Sequence, residues 1–262
     1  MKKTSTVAKR PPGYVSAQPK FLVSVAADHR LRICLVYFVA MLLSIGLTNA
    51  QPTMPKNFLL GRYDPARDTS FCKVDHIYTE RAVYLKKKVY TAYKRMYAAA
   101  LKDGIKLNII SGTRTFNDQC YKWGSKWTAD QFAHLTDKAA RSEQLLRWWS
   151  MPGTSRHHWG SEMDLVNLKL AFFKTAEGKR VYNWLVTNAP NFGFQQPFNA
   201  GRTTGYQEEK WHWSYVPLAK IYLAEYVKQI SYRDINGFSG CEAAQKLDVI
   251  NNRVLAVNGA CR

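Results

Sequence analysis

A carboxylate stands inside an apolar segment near the middle of this chain of 262 residues. Asp164 lies between Met163 and Leu165, in a stretch at 161–167 whose apolar residues predict a strand. Because an unpaired carboxylate is costly to bury, the chain must place a compensating charge next to this group. A bound metal ion would remove the cost, so the pattern points to a metal site inside the protein.

Two histidines complete a ligand set for such an ion. A hydrolytic zinc site needs three protein ligands of nitrogen or oxygen type and one open position for water. His157 precedes Asp164, and His212 follows in a second predicted strand at 210–216. Gly160 allows the chain to turn between His157 and Asp164. His157, Asp164 and His212 could therefore supply the two imidazoles and the carboxylate that one such Zn²⁺ ion needs.

The site also needs a base that removes a proton from the attacking water. Glu209 lies three residues before His212, with Trp211 between them. Side chains three positions apart face opposite sides of a regular strand, so Glu209 must lie in a turn before the strand or on a bulge. The neighbouring Glu208 is a second candidate, but the spacing to His212 favours Glu209.

A third polar segment, at 111–119 (SGTRTFNDQ), completes a set of three motifs. The set resembles that of the zinc D-alanyl-D-alanine carboxypeptidases and dipeptidases of the VanY and VanX type. Their S-x-H-x-x-G-x-A-x-D pattern is similar to residues 155–164, and their E-x-W-H pattern to residues 209–212. Their S-G-x-R-S-x-x-x-Q segment is similar to residues 111–119. The resemblance covers about residues 80–216, with the motifs in the same order.

The resemblance implies a role for each matching residue. His157, Asp164 and His212 would bind zinc, and Glu209 would act as the general base and then protonate the leaving amine. Arg114 would hold the scissile carbonyl or the oxyanion that develops from it, as a fixed cation can. Three further residues would contact the substrate or wall the site: Ser155, Gln119 and Trp211.

Two positions depart from the family pattern. Glu162 stands where the family has an alanine, and Arg156 occupies a position that is often acidic in relatives. Both lie beside the metal-binding segment, so we expect them to reshape the substrate pocket without preventing metal binding. Glu162 is expected either to be solvated or to lie just outside the ligands. The adjacent Trp148 and Trp149 are expected to pack in the core.

The function that the resemblance implies is hydrolysis of the terminal D-amino acid of peptidoglycan stem peptides, from D-Ala-D-Ala or as an L,D-carboxypeptidase. Two alternatives stay open. A peptidoglycan endopeptidase would cut inside the stem or cross-bridge, and an open groove would favour it. The other alternative is a non-catalytic module that binds the cell wall. It would keep the zinc-containing fold without catalysis, like the related hedgehog signalling domain, and it would need neither Glu209 nor Arg114. Both residues are present.

The pattern of elements predicts an α+β fold with a small antiparallel sheet flanked by helices. The resemblance implies the same class, a hedgehog or DD-peptidase-like fold. A short buried strand is predicted at 107–110, running into Ser111 and Gly112, in addition to the two strands given above. Helices are predicted over 79–102, over 117–150 with a break near Gly124, over 176–188 and over 217–230.

The first fifty residues differ from the rest of the chain. Residues 1–32 contain seven basic residues and one acidic residue, and Ile33 to Leu47 form an uncharged run. Small residues precede a cleavage site after Ala50, so the pattern predicts a signal peptide over 1–50. The alternative is an uncleaved N-terminal anchor, although the run is shorter than the roughly 20 residues of a usual spanning helix. Both interpretations predict export to the periplasm or cell envelope.

Four cysteines follow the predicted signal peptide, an even number that predicts two disulfides in an oxidising compartment. Three pairings are open. The pairing that is local in sequence is favoured, with Cys72 bonded to Cys120 and Cys241 bonded to Cys261. The predicted parts of the exported chain are an irregular arm at 51–78, a zinc peptidase domain at 79–230 and a disulfide-closed extension at 231–262.

The charge of the chain is strongly basic. Residues 51–262 contain 31 basic and 18 acidic residues, which gives a formal charge of +13. A basic surface suits an anionic polymer. For an exported protein this predicts contact with an anionic cell-wall polymer or a membrane surface, and not with nucleic acid. The expected substrate partners are peptidoglycan stem peptides, and the expected state is a monomer.

Overall fold

The structure is a computed structural model that describes residues 54–262. The signal peptide predicted over 1–50 lies outside the described residues. Among residues 54–262, no helix combines the length and the hydropathy that a bilayer-spanning segment requires. The predicted α+β class is confirmed, because helices surround two small antiparallel sheets.

The described elements follow one another with short connections. The helices are α1 (Lys56–Leu59), α2 (Lys87–Lys102), α3 (Phe116–Trp127), α4 (Lys138–Leu145), α5 (Ala176–Asn188), α6 (Val216–Gln229) and α7 (Ala243–Lys246). The strands are β1 (Phe71–Lys73), β2 (Tyr84–Lys86), β3 (Ile109–Ser111), β4 (Glu162–Leu165), β5 (Phe194–Gln195) and β6 (His212–Tyr215).

The larger sheet has four antiparallel strands in the order β3-β4-β6-β5. Its middle strands are β4 and β6, and Asp164 pairs directly with His212 across them. Because side chains alternate between faces along a strand, Glu162 and Asp164 share one face of β4. Met163 and Leu165 lie on the other face, where they are fully buried in a core cluster with residues of α2 and α5.

A second core cluster joins the two ends of the described chain. Leu59 of α1 and Trp159 are fully buried in it, and the indole Nε1 of Trp159 donates to the Leu59 carbonyl oxygen at 3.2 Å. Ile235 and Val249, which follow α6, pack in the same cluster. The segment predicted as an irregular arm therefore contains α1 and β1 and belongs to the core, as does the C-terminal segment.

The predicted disulfides are wrong, since Cys72, Cys120, Cys241 and Cys261 are all free thiols. The two cysteines of each predicted pair lie in different surroundings. Cys72 lies in β1 with its Sγ 3.8 Å from the Leu85 carbonyl oxygen, whereas Cys120 lies on α3. Cys261 is buried in the second core cluster, and this burial raises the pKa of its thiol to about 12. Cys241 is only half-buried.

Two helix predictions also need correction. The helix predicted over 79–102 begins at Lys87, because β2 occupies the preceding residues and pairs with β1. The break predicted near Gly124 is displaced, since Gly124 lies inside α3 and the helix ends at Trp127. A Cβ at Gly124 would meet no atom within 4 Å. This glycine therefore faces open space and does not mark a turn.

We expect Gly160→Ala to lower the free energy of unfolding by about 2–5 kcal/mol. Gly160 links the turn at Arg156–Trp159 to β4 with a φ of +68°, and a Cβ there would lie 2.3 Å from Cε1 of Phe71. The left-handed backbone contributes roughly 1–2 kcal/mol and the displaced ring roughly 1–3 kcal/mol. Urea unfolding measures the difference. Gly259→Ala is the matched control, because its Cβ would have no neighbour within 4 Å; equal losses in both variants would contradict the argument.

Candidate metal centre and substrate cavity

Three elements bring the predicted metal ligands together. His157 lies in the 3₁₀ turn Arg156–Trp159, Asp164 in β4 and His212 in β6. One potential ligand atom from each residue lies within 4.8 Å of the other two. Oδ1 of Asp164 is 3.4 Å from both Nε2 of His157 and Nδ1 of His212. The direct pairing of Asp164 with His212 across the sheet fixes much of this geometry.

The polar atoms of this cluster fit a bound cation. Nε2 of His157 and Oδ1 of Asp164 are buried without a hydrogen-bond partner. The other nitrogen of His157, Nδ1, lies 2.7 Å from the Gly112 carbonyl oxygen and must donate to it, since a carbonyl oxygen only accepts. Nε2 therefore keeps its lone pair on the side of Asp164. Two imidazole nitrogens and a carboxylate oxygen form a donor set that suits one Zn²⁺ ion.

Burial and neighbouring charges set the protonation of the three ligands. Burial, together with the Arg114 guanidinium, lowers the pKa of His157 to about 4, so its imidazole is neutral at pH 7. Burial would raise the pKa of Asp164, but the two imidazoles outweigh it and hold that pKa well below its usual range. Burial would lower the pKa of His212, yet the surrounding carboxylates of Asp164, Glu162 and Glu209 raise it well above its usual range.

Glu162 binds the outer nitrogen of His212. Nε2 of His212 donates to Oε2 of Glu162 at 2.8 Å, which leaves Nδ1 facing Asp164. Oε1 of the same carboxylate accepts from Ser214 Oγ at 2.7 Å and pairs with Nη2 of Arg156 at 3.1 Å. A carboxylate behind a histidine ligand fixes the orientation of the ring and raises the basicity of the nitrogen that faces the metal.

The position of Glu162 corrects one expectation and confirms another. Its side chain is 0% exposed and lies outside the cavity lining, so it is neither solvated nor a wall of the pocket. The expectation that Glu162 lies just outside the metal ligands is confirmed, because its carboxylate contacts His212. Burial would raise its pKa, but Arg156 and His212 lower the pKa to about 2, so the group stays anionic. Arg156 is buried too, and it lines the cavity.

Glu209 lies in the turn before β6, as its spacing to His212 requires. The backbone N–H of His212 donates to the Glu209 carbonyl oxygen at 3.2 Å, and the Glu209 N–H donates to the Phe198 carbonyl oxygen at 2.9 Å. These bonds direct the side chain so that Oε2 is 3.4 Å from Nδ1 of His212. Glu208 instead lies 4.0 Å from Nζ of Lys210 and outside the cavity lining. The geometry favours Glu209 over Glu208.

The metal cluster lines a cavity of about 320 Å³ together with all the predicted substrate contacts. Three of these contacts carry buried polar atoms that lack a hydrogen-bond partner: Nε of Arg114, Oε1 of Gln119 and Oγ of Ser155. Trp211, the fourth, is 9% exposed and forms part of the wall. Because unpaired buried polar groups are costly, these atoms fit a molecule that binds in the cavity and completes their hydrogen bonds.

Several residues that line this cavity were not predicted from the sequence. Trp148 and Trp149 are half-buried and line the cavity. Trp149 also packs against the second core cluster, so the prediction of core packing is confirmed in part for Trp149 and is wrong for Trp148. They follow α4 in a turn, where no helical period indicates which side they face. Lys122 also lines the cavity. The sequence did hold a signal for it, since residues three apart on a helix share a face and Lys122 follows Gln119 on α3.

Comparison with known proteins agrees with this geometry. The family model VanY, described as D-alanyl-D-alanine carboxypeptidase, matches residues 82–218, which is more than half of the chain. The chain belongs to this family. The matched region contains the three candidate ligands, as well as Arg114 and Glu209.

Two curated family relatives are about one-third identical to this chain. The putative carboxypeptidase YodJ of Bacillus subtilis (strain 168) is 31% identical over 182 residues, which cover 66% of this chain and 59% of the relative. A D-alanyl-D-alanine carboxypeptidase of Enterococcus faecalis (strain ATCC 700802 / V583) is 32% identical over 132 residues, which cover 48% of this chain and 47% of the relative. This chain therefore spans only about half of the length of these relatives.

A solved structure, VanYB in complex with D-Alanine-D-Alanine, is 25% identical to this chain with a TM-score of 0.49. The comparison covers 70% of this chain and 96% of that one.

We expect Glu162→Gln to weaken zinc binding about 10–100-fold, because the amide removes the negative charge behind the His212 ring. Competition for zinc with a chromogenic chelator measures the dissociation constant. Glu225→Gln is the matched control, since Glu225 is a half-buried acid on α6 outside the cavity lining. If both variants bind zinc equally well, the carboxylate of Glu162 does not tune the site.

Proposed function

We propose that this chain is a zinc-dependent carboxypeptidase that removes the terminal D-amino acid from peptidoglycan stem peptides. One observation carries the proposal. The cluster of His157, Asp164 and His212 shares a single cavity with the carboxylate of Glu209 and the guanidinium of Arg114. A metal cluster, a base and a fixed cation are the groups that metal-assisted peptide hydrolysis requires. Membership of the D-alanyl-D-alanine carboxypeptidase family supports the same reaction.

Each group around the metal cluster would have a separate role in the reaction. When bound, zinc would supply a Lewis acid that polarises the scissile carbonyl and makes water more acidic. Glu209, whose Oε2 is 3.4 Å from Nδ1 of His212, would take a proton from the attacking water and return it to the leaving amine. Arg114, whose Nε is buried and unpartnered, would donate to the carbonyl oxygen as negative charge develops there.

The remaining contacts would hold the peptide in place. Nε2 of Gln119 donates to the Ser150 carbonyl oxygen at 2.7 Å, so the amide is fixed and its Oε1 is free to accept from a peptide N–H. Oγ of Ser155 is buried and unpartnered in the same way. Trp211 and the Trp148–Trp149 pair add flat apolar walls that exclude water from the bound peptide.

Glu209 and Arg114 also bear on the alternative of a non-catalytic binding module. Such a module would keep the metal cluster, but it has no need of a base beside the metal. The backbone hydrogen bonds that direct Glu209 toward His212 support hydrolysis instead.

We further propose that the chain acts outside the cytoplasm, where peptidoglycan is exposed. The order of basic, uncharged and small residues over 1–50 supports export. The formal charge of +13 over residues 51–262 supports contact with an anionic cell-wall polymer or a membrane surface.

The proposal is tested with the zinc-loaded full-length chain and a defined muropeptide that ends in D-Ala-D-Ala. Mass spectrometry should show loss of one D-Ala. Removal of zinc with a chelator should stop the release, and added zinc should restore it. Loss of a dipeptide, or a cut inside the stem, would assign the chain to the dipeptidase or endopeptidase alternative. No cleavage of any stem peptide would refute the proposal.

We expect Glu209→Gln to lower kcat by at least ~10²-fold while one zinc ion stays bound, because the amide cannot accept the proton of water. Release of D-Ala measures the rate, and atomic absorption measures the zinc content. The matched control is Glu208→Gln, which changes the next acid along the chain but not the cavity. A full rate in Glu209→Gln would remove this residue from the mechanism.

A further inference from the structure

A carboxypeptidase must recognise the free carboxylate at the end of its substrate, and an endopeptidase need not. Recognition of a buried carboxylate requires a cation or several hydrogen-bond donors close to it. Three cationic side chains line the cavity: Arg114, Lys122 and Arg156. A cation that has no ion pair within the protein is the best candidate to bind such a carboxylate.

Arg156 is already paired. Its Nη2 is 3.1 Å from Oε1 of Glu162 and donates to Ser214 Oγ at 3.0 Å. Both Arg156 and Glu162 are buried, at 3% and 0% exposure. Its Nε and Nη1 are buried without a hydrogen-bond partner, but the charge of the guanidinium is balanced by the Glu162 carboxylate.

Arg114 is assigned to the reacting carbonyl. It is half-buried, and its charge acts on the carboxylates of Asp164 and Glu209, the acids that lie at the metal cluster. Its backbone is fixed there as well, because its N–H donates to the His157 carbonyl oxygen at 3.1 Å. This bond ties Arg114 to the turn that carries His157, and the proposed function assigns its side chain to the reacting carbonyl.

Lys122 is the cation that remains. Other lysines among residues 54–262 form ion pairs in which Nζ and a carboxylate oxygen are at most 4.0 Å apart, but Lys122 forms none. The side chain projects from α3 on the same face as Gln119, three residues earlier. Burial first, and then the Arg114 guanidinium, lowers the pKa of Lys122 to about 8, against the smaller opposing effect of the Asp164 and Glu209 carboxylates. A bound anion would offset both effects.

The charges that face the cavity also favour an anionic ligand. Apart from Arg156, the cations are Arg114 and Lys122, and the anions are Asp164 and Glu209. These four charges balance, so a divalent metal ion leaves the cavity with a positive excess. A positive excess in a half-closed, low-dielectric site attracts a carboxylate.

We propose that Lys122 is the main contact of a subsite for the terminal α-carboxylate of the substrate, and that it makes the site prefer peptides with a free C-terminus. This inference rests on the proposed function. The ligand class is a peptide whose last residue, next to the scissile bond, carries an ionised carboxylate. Lys122 is thus a specificity residue, and the chemistry of bond cleavage stays with Glu209 and Arg114.

The kinetic test uses the zinc-loaded full-length chain and two muropeptides that differ only at the C-terminus, as free acid or carboxamide. We expect Lys122→Met to raise KM for the acid about 10–100-fold, the effect of losing a hydrogen bond between charged groups, with a smaller change in kcat. The preference for acid over amide, as a ratio of kcat/KM values, should fall by a similar factor. Lys122→Arg keeps the charge and should retain most of the preference.

Lys126→Met is the matched control. Lys126 lies one turn further along α3, outside the cavity lining, with Nζ 5.3 Å from the centre of the Trp149 ring. Its loss removes one positive charge from the same helix, but it should leave the ratio of acid to amide unchanged. Thermal unfolding of each variant shows whether the fold is intact.

A binding measurement separates this inference from the proposed function. In the zinc-loaded Glu209→Gln background, calorimetry gives the dissociation constants of both peptides without turnover. A selective loss of acid binding in Lys122→Met supports the subsite even if the unaltered chain cleaves neither peptide. Equal weakening for acid and amide, or no weakening for the acid, overturns the inference even if the chain is an active carboxypeptidase. The same holds if Lys126→Met removes the preference as strongly as Lys122→Met does.

Discussion

The pairing of Asp164 with His212 across β4 and β6 is the interaction on which the rest of the site depends. Antiparallel register sets these side chains next to each other on one face of the sheet, while Met163 on the opposite face anchors the strand in the core. The polar face is therefore as rigid as the apolar face behind it. His157 reaches the same point from a separate turn, and Gly160 provides the left-handed link that makes this approach feasible.

The charges around this pair are arranged in layers. Glu162 stands behind His212, and Arg156 stands behind Glu162, so each buried charge has a partner of opposite sign or a hydrogen bond. Removing one member would leave a buried charge unpaired, which costs more than an isolated exposed ion pair contributes. Glu162, at a position where the family has an alanine, therefore does not line the pocket. Its carboxylate orients His212, a candidate metal ligand, through a hydrogen bond.

Much of the site could be predicted from the sequence, because motif spacing and strand period carry real geometric information. The three ligands and the turn position of Glu209 follow from them. The two-residue alternation of side chains along β4 also predicts that Glu162 shares a face with Asp164. It does not predict which ring nitrogen of His212 the Glu162 carboxylate contacts. The Trp148–Trp149 pair lies in an irregular turn without a period. Cysteine pairing depends on distances between elements, and sequence proximity of Cys241 and Cys261 does not encode them.

The hydrogen bond from Trp159 to Leu59 has a consequence for where this protein can be divided. The family match ends at residue 218 and starts at residue 82, yet Trp159 packs against Leu59 before that span and Tyr226 after it. Trp159 belongs to the same turn as His157, so the flanking segments brace the metal ligand from outside the homologous region. A fragment trimmed to the homology boundaries would keep every motif of the family and lose the scaffold that holds one of them in position.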